Sequence, residues 1–387
     1  MASCVRFLHC AGFRFGSPSW EGLEAWATLR NQDLWQTFEA TIALCRSENV
    51  DFLFLVGNLF DQEYVSKETV ERVASVLAKV EGTRIFIVPG ETDPLIITSA
   101  YRLTVWPSNV HIFSGGISSV KLPAQNVIVY GAGWTAYRQE GSFLDGFRAK
   151  MDGTISLMLL HAEVSSEKNS ERFSKILPEQ IALSGLNYLA LGHEGVWSGI
   201  QRAGETLWAD CGSPEARSFH ESGPHGVLLG EIENGSVQLE FRELGQRRYH
   251  EKVLSQSDME TFVAQLLAET SPQGRLNDLF RIKLMGTLHE EDGEVLLLRK
   301  QLADEFRYVQ VVPFVGTMGS GIGVDVVLSR ESVYIEKDGI PNVTQVFIAK
   351  LQECLAVAGS AKNHEHWELV QKIGLAALGQ GRVDDED

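Results

Sequence analysis

Phe52-Leu53-Phe54-Leu55-Val56-Gly57-Asn58-Leu59-Phe60-Asp61 opens with five apolar residues in a row and stops at a glycine. Such a run, with no polar residue alternating into it, reads as a strand buried on both faces that ends in a turn. The same pattern recurs on either side. Val5 to Leu8, Arg84 to Val88, Val127 to Tyr130, Ile155 to Leu160, Tyr188 to Leu191, Val227 to Ile232 and Val237 to Phe241 are further strand candidates. Between them Leu34, Phe38, Ile42 and Cys45, and then Val70, Val73, Leu77 and Val80, fall at helical spacing. Each of those segments has one face to bury against a sheet. From Val5 to about Glu243 the fold class is therefore α/β.

Beyond that point the rhythm changes. A strand near Val253, a helix opened by Ser257-x-x-Glu260, a strand Leu279 to Leu284, a helix Glu294 to Phe306 and a strand Tyr308 to Pro313 form a compact β-α-β-α-β unit. The expected division is a main domain over 1–248, a small α/β domain over 249–315, a linker or hinge over 316–340 and a helical C-terminal region over 341–387. The glycine run Gly316 to Gly323 reads as hinge rather than phosphate cradle, because no strand leads through it into a helix.

Composition narrows the function classes. The chain has 387 residues, 44% of them hydrophobic and 22% charged, so a disordered or fibrous protein is excluded. Its 34 Lys+Arg against 51 Asp+Glu give a net charge of −17, which argues against indiscriminate adhesion to nucleic acid or anionic membrane. Any DNA contact has to be local. Five scattered cysteines without a C-x-x-C pair suggest neither a disulfide framework nor a thiolate zinc site. No run of about 18 apolar residues suggests a membrane span, and a cytoplasmic location without a secretion signal is expected.

Five strand-end segments carry chemistry. They are Phe7-Leu8-His9-Cys10-Ala11-Gly12-Phe13-Arg14-Phe15-Gly16, Val56-Gly57-Asn58-Leu59-Phe60-Asp61, Pro89-Gly90-Glu91-Thr92-Asp93-Pro94, Leu159-Leu160-His161-Ala162-Glu163 and Leu189-Ala190-Leu191-Gly192-His193-Glu194-Gly195. In order and spacing they resemble the calcineurin-like metallophosphoesterases, above all the exonuclease subunit of SbcCD-type DNA repair complexes and its YhaO-like relatives. The downstream Gly212-Ser213-Pro214-Glu215 echoes the same family. The resemblance implies a four-layer α-β-β-α sandwich with a small α/β capping domain and C-terminal helices. It also implies two divalent ions that clamp a phosphodiester and generate hydroxide.

The ligand positions have drifted. By the resemblance the first ion would fall to Gly12, Arg14, Asn58 and Gly195; glycine has no ligand atom and arginine stays cationic. The second would fall to Asn58, Glu91, His161 and His193, all of which carry donor atoms suited to Mn²⁺, Fe²⁺ or Zn²⁺. Two readings stay open there: one residual metal, or an empty pocket with Glu91 paired to Arg14. The family's catalytic histidine is Thr92 here, so no general acid remains. Arg14 either meets a phosphate through its fork of donors or forms a salt bridge to Asp61 or Glu91.

Other residues carry structural expectations. Asp61 and Asp93 would orient loop backbone, and Gly57, Gly90 and Gly192 would make the turns after the strands. His9 and Glu163 would make supporting hydrogen bonds or act directly. His111, His220, His225, His250, His289, His364 and His366 read as surface residues. The expected function is a degenerate SbcD/YhaO-like subunit, inactive or strongly impaired, bound to DNA or to an SMC-like ATPase, with a homodimer open. An active single-metal phosphodiesterase and a protein-interaction scaffold are the alternatives.

Overall fold

The computed structural model describes residues 4–139, 141–150, 152–165, 174–233, 235–255, 258–285 and 293–313. The chain divides into two compact units, Met1–Ile322 and Gly323–Asp387. The expected hinge, the helical C-terminal region, Ser257, His289, His364, His366 and Cys354 lie outside the described residues.

In chain order the elements of the main body are β1 (Val5–Cys10), α1 (Trp26–Ser47), β2 (Phe52–Val56), α2 (Lys67–Leu77), β3 (Arg84–Val88), β4 (Val110–Ile112), β5 (Gly115–Leu122), β6 (Val127–Gly133), β7 (Ile155–His161), β8 (Glu163–Val164), β9 (Lys175–Ile176), α3 (Pro178–Leu183), β10 (Tyr188–Gly192), β11 (Gln201–Ala203), β12 (Thr206–Asp210), β13 (Gly226–Glu233) and β14 (Ser236–Glu243). Two six-stranded sheets result, in the orders β14-β13-β1-β2-β3-β4 and β11-β12-β10-β7-β6-β5. β1 to β4 run parallel, as do β6, β7, β10 and β12, while the outer partners are antiparallel.

The period of two along each strand explains the layers. Phe52, Phe54 and Val56 point one way and meet Val129, Leu157 and Tyr188 of the opposing sheet in a shared core. Leu53 and Leu55 point the other way, against Phe38 and Ile42 of α1 and Val73 and Leu77 of α2. On the far side Met158, Leu160 and Leu189 pack under Ile181 of α3. The architecture is a four-layer α-β-β-α sandwich. Helix α2 starts where the Ser66 side chain accepts the Thr69 N–H, which satisfies one of the free donors of its first turn.

The chain then forms a separate three-stranded parallel sheet in the order β15-β16-β17, from β15 (Tyr249–Leu254), α4 (Met259–Glu269), α5 (Pro272–Asn277), β16 (Leu279–Leu284), α6 (Gly293–Glu305) and β17 (Tyr308–Pro313). It has its own core of Phe262, Phe280, Ile282, Leu298 and Leu302. The capping box expected at Ser257 and Glu260 falls on side chains outside the described residues. The residue that opens α4 is Asp258, whose side chain makes no capping bond to the helix and instead accepts from Ser255 Oγ at 2.6 Å.

The small sheet joins the body through Trp26, Ala216, Phe219, Tyr249 and Leu279. Above that contact lies a buried polar knot: Arg30 binds Asp33 at 2.8 Å and Glu215 at 2.7 Å, and Arg247 binds the same Asp33 carboxylate at 2.8 Å. Cys10, Cys45 and Cys211 are buried free thiols and Cys4 is an exposed one. Among the described residues no helix is long and apolar enough to cross a membrane.

Candidate metal centre

The carboxyl ends of β1, β2 and β3 in one sheet and of β7 and β10 in the other converge, the usual place for a ligand in open α/β sheets. The three loops of the first sheet are laced together. Gly12 N–H donates to the Gly57 carbonyl at 3.0 Å, Arg14 N–H to Asn58 at 2.8 Å and Phe15 N–H to Leu59 at 2.9 Å. Asp93 fixes the same loops from beneath. Its wholly buried carboxylate accepts the N–H groups of Gly90 (2.7 Å), Asn58 (3.1 Å), Leu59 (2.7 Å) and Phe60 (3.1 Å) and the Tyr101 hydroxyl (2.6 Å). Burial pushes the Asp93 carboxyl up and these hydrogen bonds, the one from Tyr101 first, pull it back.

Glu91, His161 and His193 come together above this base, with ligand atoms all within 4.8 Å of one another. His193 Nδ1 lies 3.5 Å from His161 Nε2 and 3.8 Å from Glu91 Oε2. His161 is buried at the end of β7, and its backbone carbonyl accepts the Trp134 indole N–H at 2.9 Å. Burial, then His193 and Arg14, hold the His161 imidazole well below its ordinary value. A neutral ring keeps a lone pair for a cation. Gly57 is required beneath it: φ is +77°, and a Cβ there would lie 2.0 Å from His161 Nδ1.

The donor set of one carboxylate and two imidazoles fits a single borderline divalent ion. Asn58 stands at the edge of this set in a left-handed conformation, φ 52°, and its Oδ1 accepts the Thr92 N–H at 3.1 Å. Thr92 turns its hydroxyl into the loop, donating to the Phe60 carbonyl at 2.7 Å, so it is not aimed at a leaving group.

The positions of the other ion do not fit one. A Cβ on Gly195 would lie 2.7 Å from the Glu221 carboxyl carbon, and one on Gly12 would meet the Ser213 Cβ at 3.5 Å. Glu221 thus occupies the space that a side chain at Gly195 would use, while at Gly12 the contact is ordinary packing and it is the left-handed backbone, φ +66°, that resists a side chain. Glu221 Oε2 accepts the Arg217 N–H at 2.8 Å and the Ser213 hydroxyl at 3.3 Å. Arg217 donates through Nη2 to the Phe13 and Arg14 carbonyls at 2.8 and 3.1 Å. Burial, then Arg14, pushes its guanidinium down to about 9, which leaves it cationic at neutral pH. Arg14 pairs with Asp61, at 4.0 Å, and not with Glu91, whose ionic neighbour is His193.

Two residues here escaped sequence reasoning. Asp210, at the end of β12, accepts the N–H groups of His193 (2.8 Å), Glu194 (3.0 Å) and Gly212 (2.9 Å) and so fixes the loop that presents His193. Burial raises its carboxyl to about 6 against the pull of those donors. A carboxylate inside the apolar Trp208-Ala209-Asp210-Cys211 was the available signal. Glu221 gave none, since only the fold brings it to Gly195.

The surface reading of His225 is overturned. It is 3% exposed, with ring nitrogens 2.7 Å from the Ser213 carbonyl and 2.9 Å from that of Glu221. The 212–225 segment folds back on itself, which sequence spacing does not reveal. His250 is partly covered and bonds Asp278 at 2.9 Å, while His220 is exposed. His9 is wholly buried between the Tyr188 hydroxyl and the Leu191 carbonyl, at 2.8 and 2.9 Å, and burial pushes its ring down to about 3. It is a neutral bridge between the sheets.

No family model matches the chain. It is similar to an uncharacterized metallophosphoesterase of Bacillus subtilis, YhaO, with 24% identity over 341 residues that span 80% of this chain and 81% of that relative. Among solved structures it is similar to a Thermus thermophilus protein, TT1561, with 12% identity, TM-score 0.39, and coverage of 62% of this chain and 99% of that one. A purple acid phosphatase from yellow lupin shares 11% identity with TM-score 0.43, over 64% of this chain and 53% of that one. A dimetal phosphatase from Danio rerio shares 9%, with TM-score 0.39, over 62% and 96%.

Proposed function

We propose that this chain is a degenerate metallophosphoesterase of the SbcD/YhaO-like kind that holds at most one divalent ion and hydrolyses phosphodiesters weakly or not at all. Its role is that of a cytoplasmic DNA-binding or ATPase-binding subunit, with an SMC-like ATPase the partner suggested by resemblance. One observation carries the reading. Glu91, His161 and His193 converge within 4.8 Å, while Glu221 stands where a side chain at Gly195 would reach the other ion.

When bound, an ion on Glu91, His161 and His193 would polarise a phosphoryl oxygen or acidify a water. The protein's own residues supply the rest. Asp93 and Asp210 hold the ligand loops, the neutral His161 ring keeps its lone pair, and Thr92 offers no proton to a leaving group. A positioned general acid is worth about 10²- to 10⁴-fold, so its loss alone leaves little turnover. The intact donor set favours one alternative, an active single-metal phosphodiesterase.

Elemental analysis after growth in metal-replete medium should find no more than one Mn, Fe or Zn per chain, lost in His161→Ala and His193→Ala. A count near two contradicts the reading. With double-stranded DNA or a p-nitrophenyl phosphodiester, the Mn²⁺-supplemented protein should not exceed those two variants. Turnover that disappears in both of them establishes the active enzyme instead.

A further inference from the structure

Arg14 is the one described residue other than glycine and asparagine with a left-handed backbone, at φ 47°. For a long side chain this costs free energy, so the surroundings must impose it. They do: its N–H is held by Asn58, and its carbonyl accepts from Ser17 N–H at 3.1 Å and from Arg217 Nη2 at 3.1 Å. The guanidinium is treated differently. Its ionic contact, Asp61, lies 4.0 Å away, Nε is shielded from solvent with no hydrogen-bond partner among the described residues, and the side chain is 36% exposed. A cation is thus fixed at its root, with Asp61 as its ionic neighbour and its fork of donors making no hydrogen bond among the described residues.

Charge decides when that fork can take an anion. Arg217 and Glu221 are opposite charges on one segment, joined through the Arg217 backbone N–H, and cancel in the count. Arg14 then stands against Asp61, and the site holds two further carboxylates, Glu91 beside His193 and Asp210 beneath the His193 loop. Without an ion the pocket is net negative and repels anions. A divalent ion on Glu91, His161 and His193 would add two positive charges and cancel the excess of the three carboxylates over Arg14.

We propose that Arg14 anchors a tetrahedral phosphate oxyanion, and that this binding is gated by the ion on Glu91, His161 and His193. The guanidinium takes the place of a second cation: it binds a phosphate by its planar fork and cannot activate water. The inference rests on the one-ion reading above.

Calorimetric titration of inorganic phosphate into the full chain tests it, with the protein loaded with Mn²⁺ or stripped by chelator, and with Arg14→Gly and Arg14→Lys alongside. Glycine suits the left-handed backbone, so Arg14→Gly should fold and keep the wild-type ion count. The loaded wild type should bind one phosphate, at least tenfold more tightly than the stripped protein. Arg14→Gly should lose tenfold or more, the range expected for charge-assisted bonds, with Arg14→Lys between. A thymidine dinucleotide run in parallel tells a diester from free phosphate, and Arg14-dependent binding of either supports the proposal. Equal affinity in Arg14→Gly and wild type overturns it, as does equal affinity with and without the ion. A wild type that takes up no ion is the empty pocket that the reading above also allows and overturns the gate by removing its ion, whereas a normal ion count with no effect of Arg14 sinks only this inference.

Discussion

Asp93→Ala should leave the protein largely unfolded at room temperature. The carboxylate serves four backbone N–H groups and one hydroxyl, all buried, and every one would lose its acceptor. At about 1–3 kcal/mol for each orphaned buried donor, the total rivals the roughly 5–15 kcal/mol that holds an ordinary domain together. Asp93→Asn separates shape from chemistry. It keeps one oxygen but turns an NH₂ toward donors, so two or three of the five bonds fail and a loss of about 3–5 kcal/mol is expected. Urea unfolding followed by tryptophan fluorescence and by circular dichroism measures both. If Asp93→Ala kept a near-native midpoint, Asp93 would not be the base on which the Asn58 and Glu91 loops stand.

These loops show what the sequence disclosed and what it withheld. Strands such as Phe52–Val56 were legible because burial on both faces leaves an unbroken apolar run, and a strand ends where Gly57 permits a backbone that other residues resist. The residues at those ends, Glu91, His161 and His193, were legible by their place at the strand termini, and the fold brings them together. Contacts made by side chains across the fold were not. Glu221 fills the space beside Gly195, Asp210 supports His193 from a different strand, and His225 is buried by a segment that doubles back. None of these has a period or a spacing, because each is set by tertiary approach alone. The pairing of Arg14 was left between two carboxylates for the same reason, and geometry selects Asp61.

Arg30 is where the second large effect should appear. Its guanidinium is wholly buried, donates to Asp33, to Glu215 and to the Ala216 carbonyl at 2.9 Å, and lies over the rings of Trp20 and Tyr249. Arg30→Met removes one cation and leaves two buried carboxylates. Asp33 keeps Arg247 at 2.8 Å, while Glu215 keeps only neutral donors, Thr37 Oγ1 at 2.5 Å and Gln246 N–H at 2.7 Å. Breaking a buried pair from one side costs about 3–5 kcal/mol, most of it the charge left uncompensated at Glu215. The double variant Arg30→Met with Glu215→Met should therefore be more stable than Arg30→Met alone, because removing the stranded carboxylate removes its desolvation cost. The sign of that difference is the test, since independent sites would make the double variant the worse of the two. The loss should also reach the small sheet. Arg247 donates to the Asn277 carbonyl at 2.6 Å and shares Asp33 with Arg30, so loosening the knot releases the segment that leads into β15. Hydrogen exchange at Tyr249 and Leu279 should accelerate in Arg30→Met well before exchange at Phe54 and Leu157, which lie in the sandwich core. Uniform acceleration at all four would place the knot in the global folding unit rather than at the joint between the two sheets' domains.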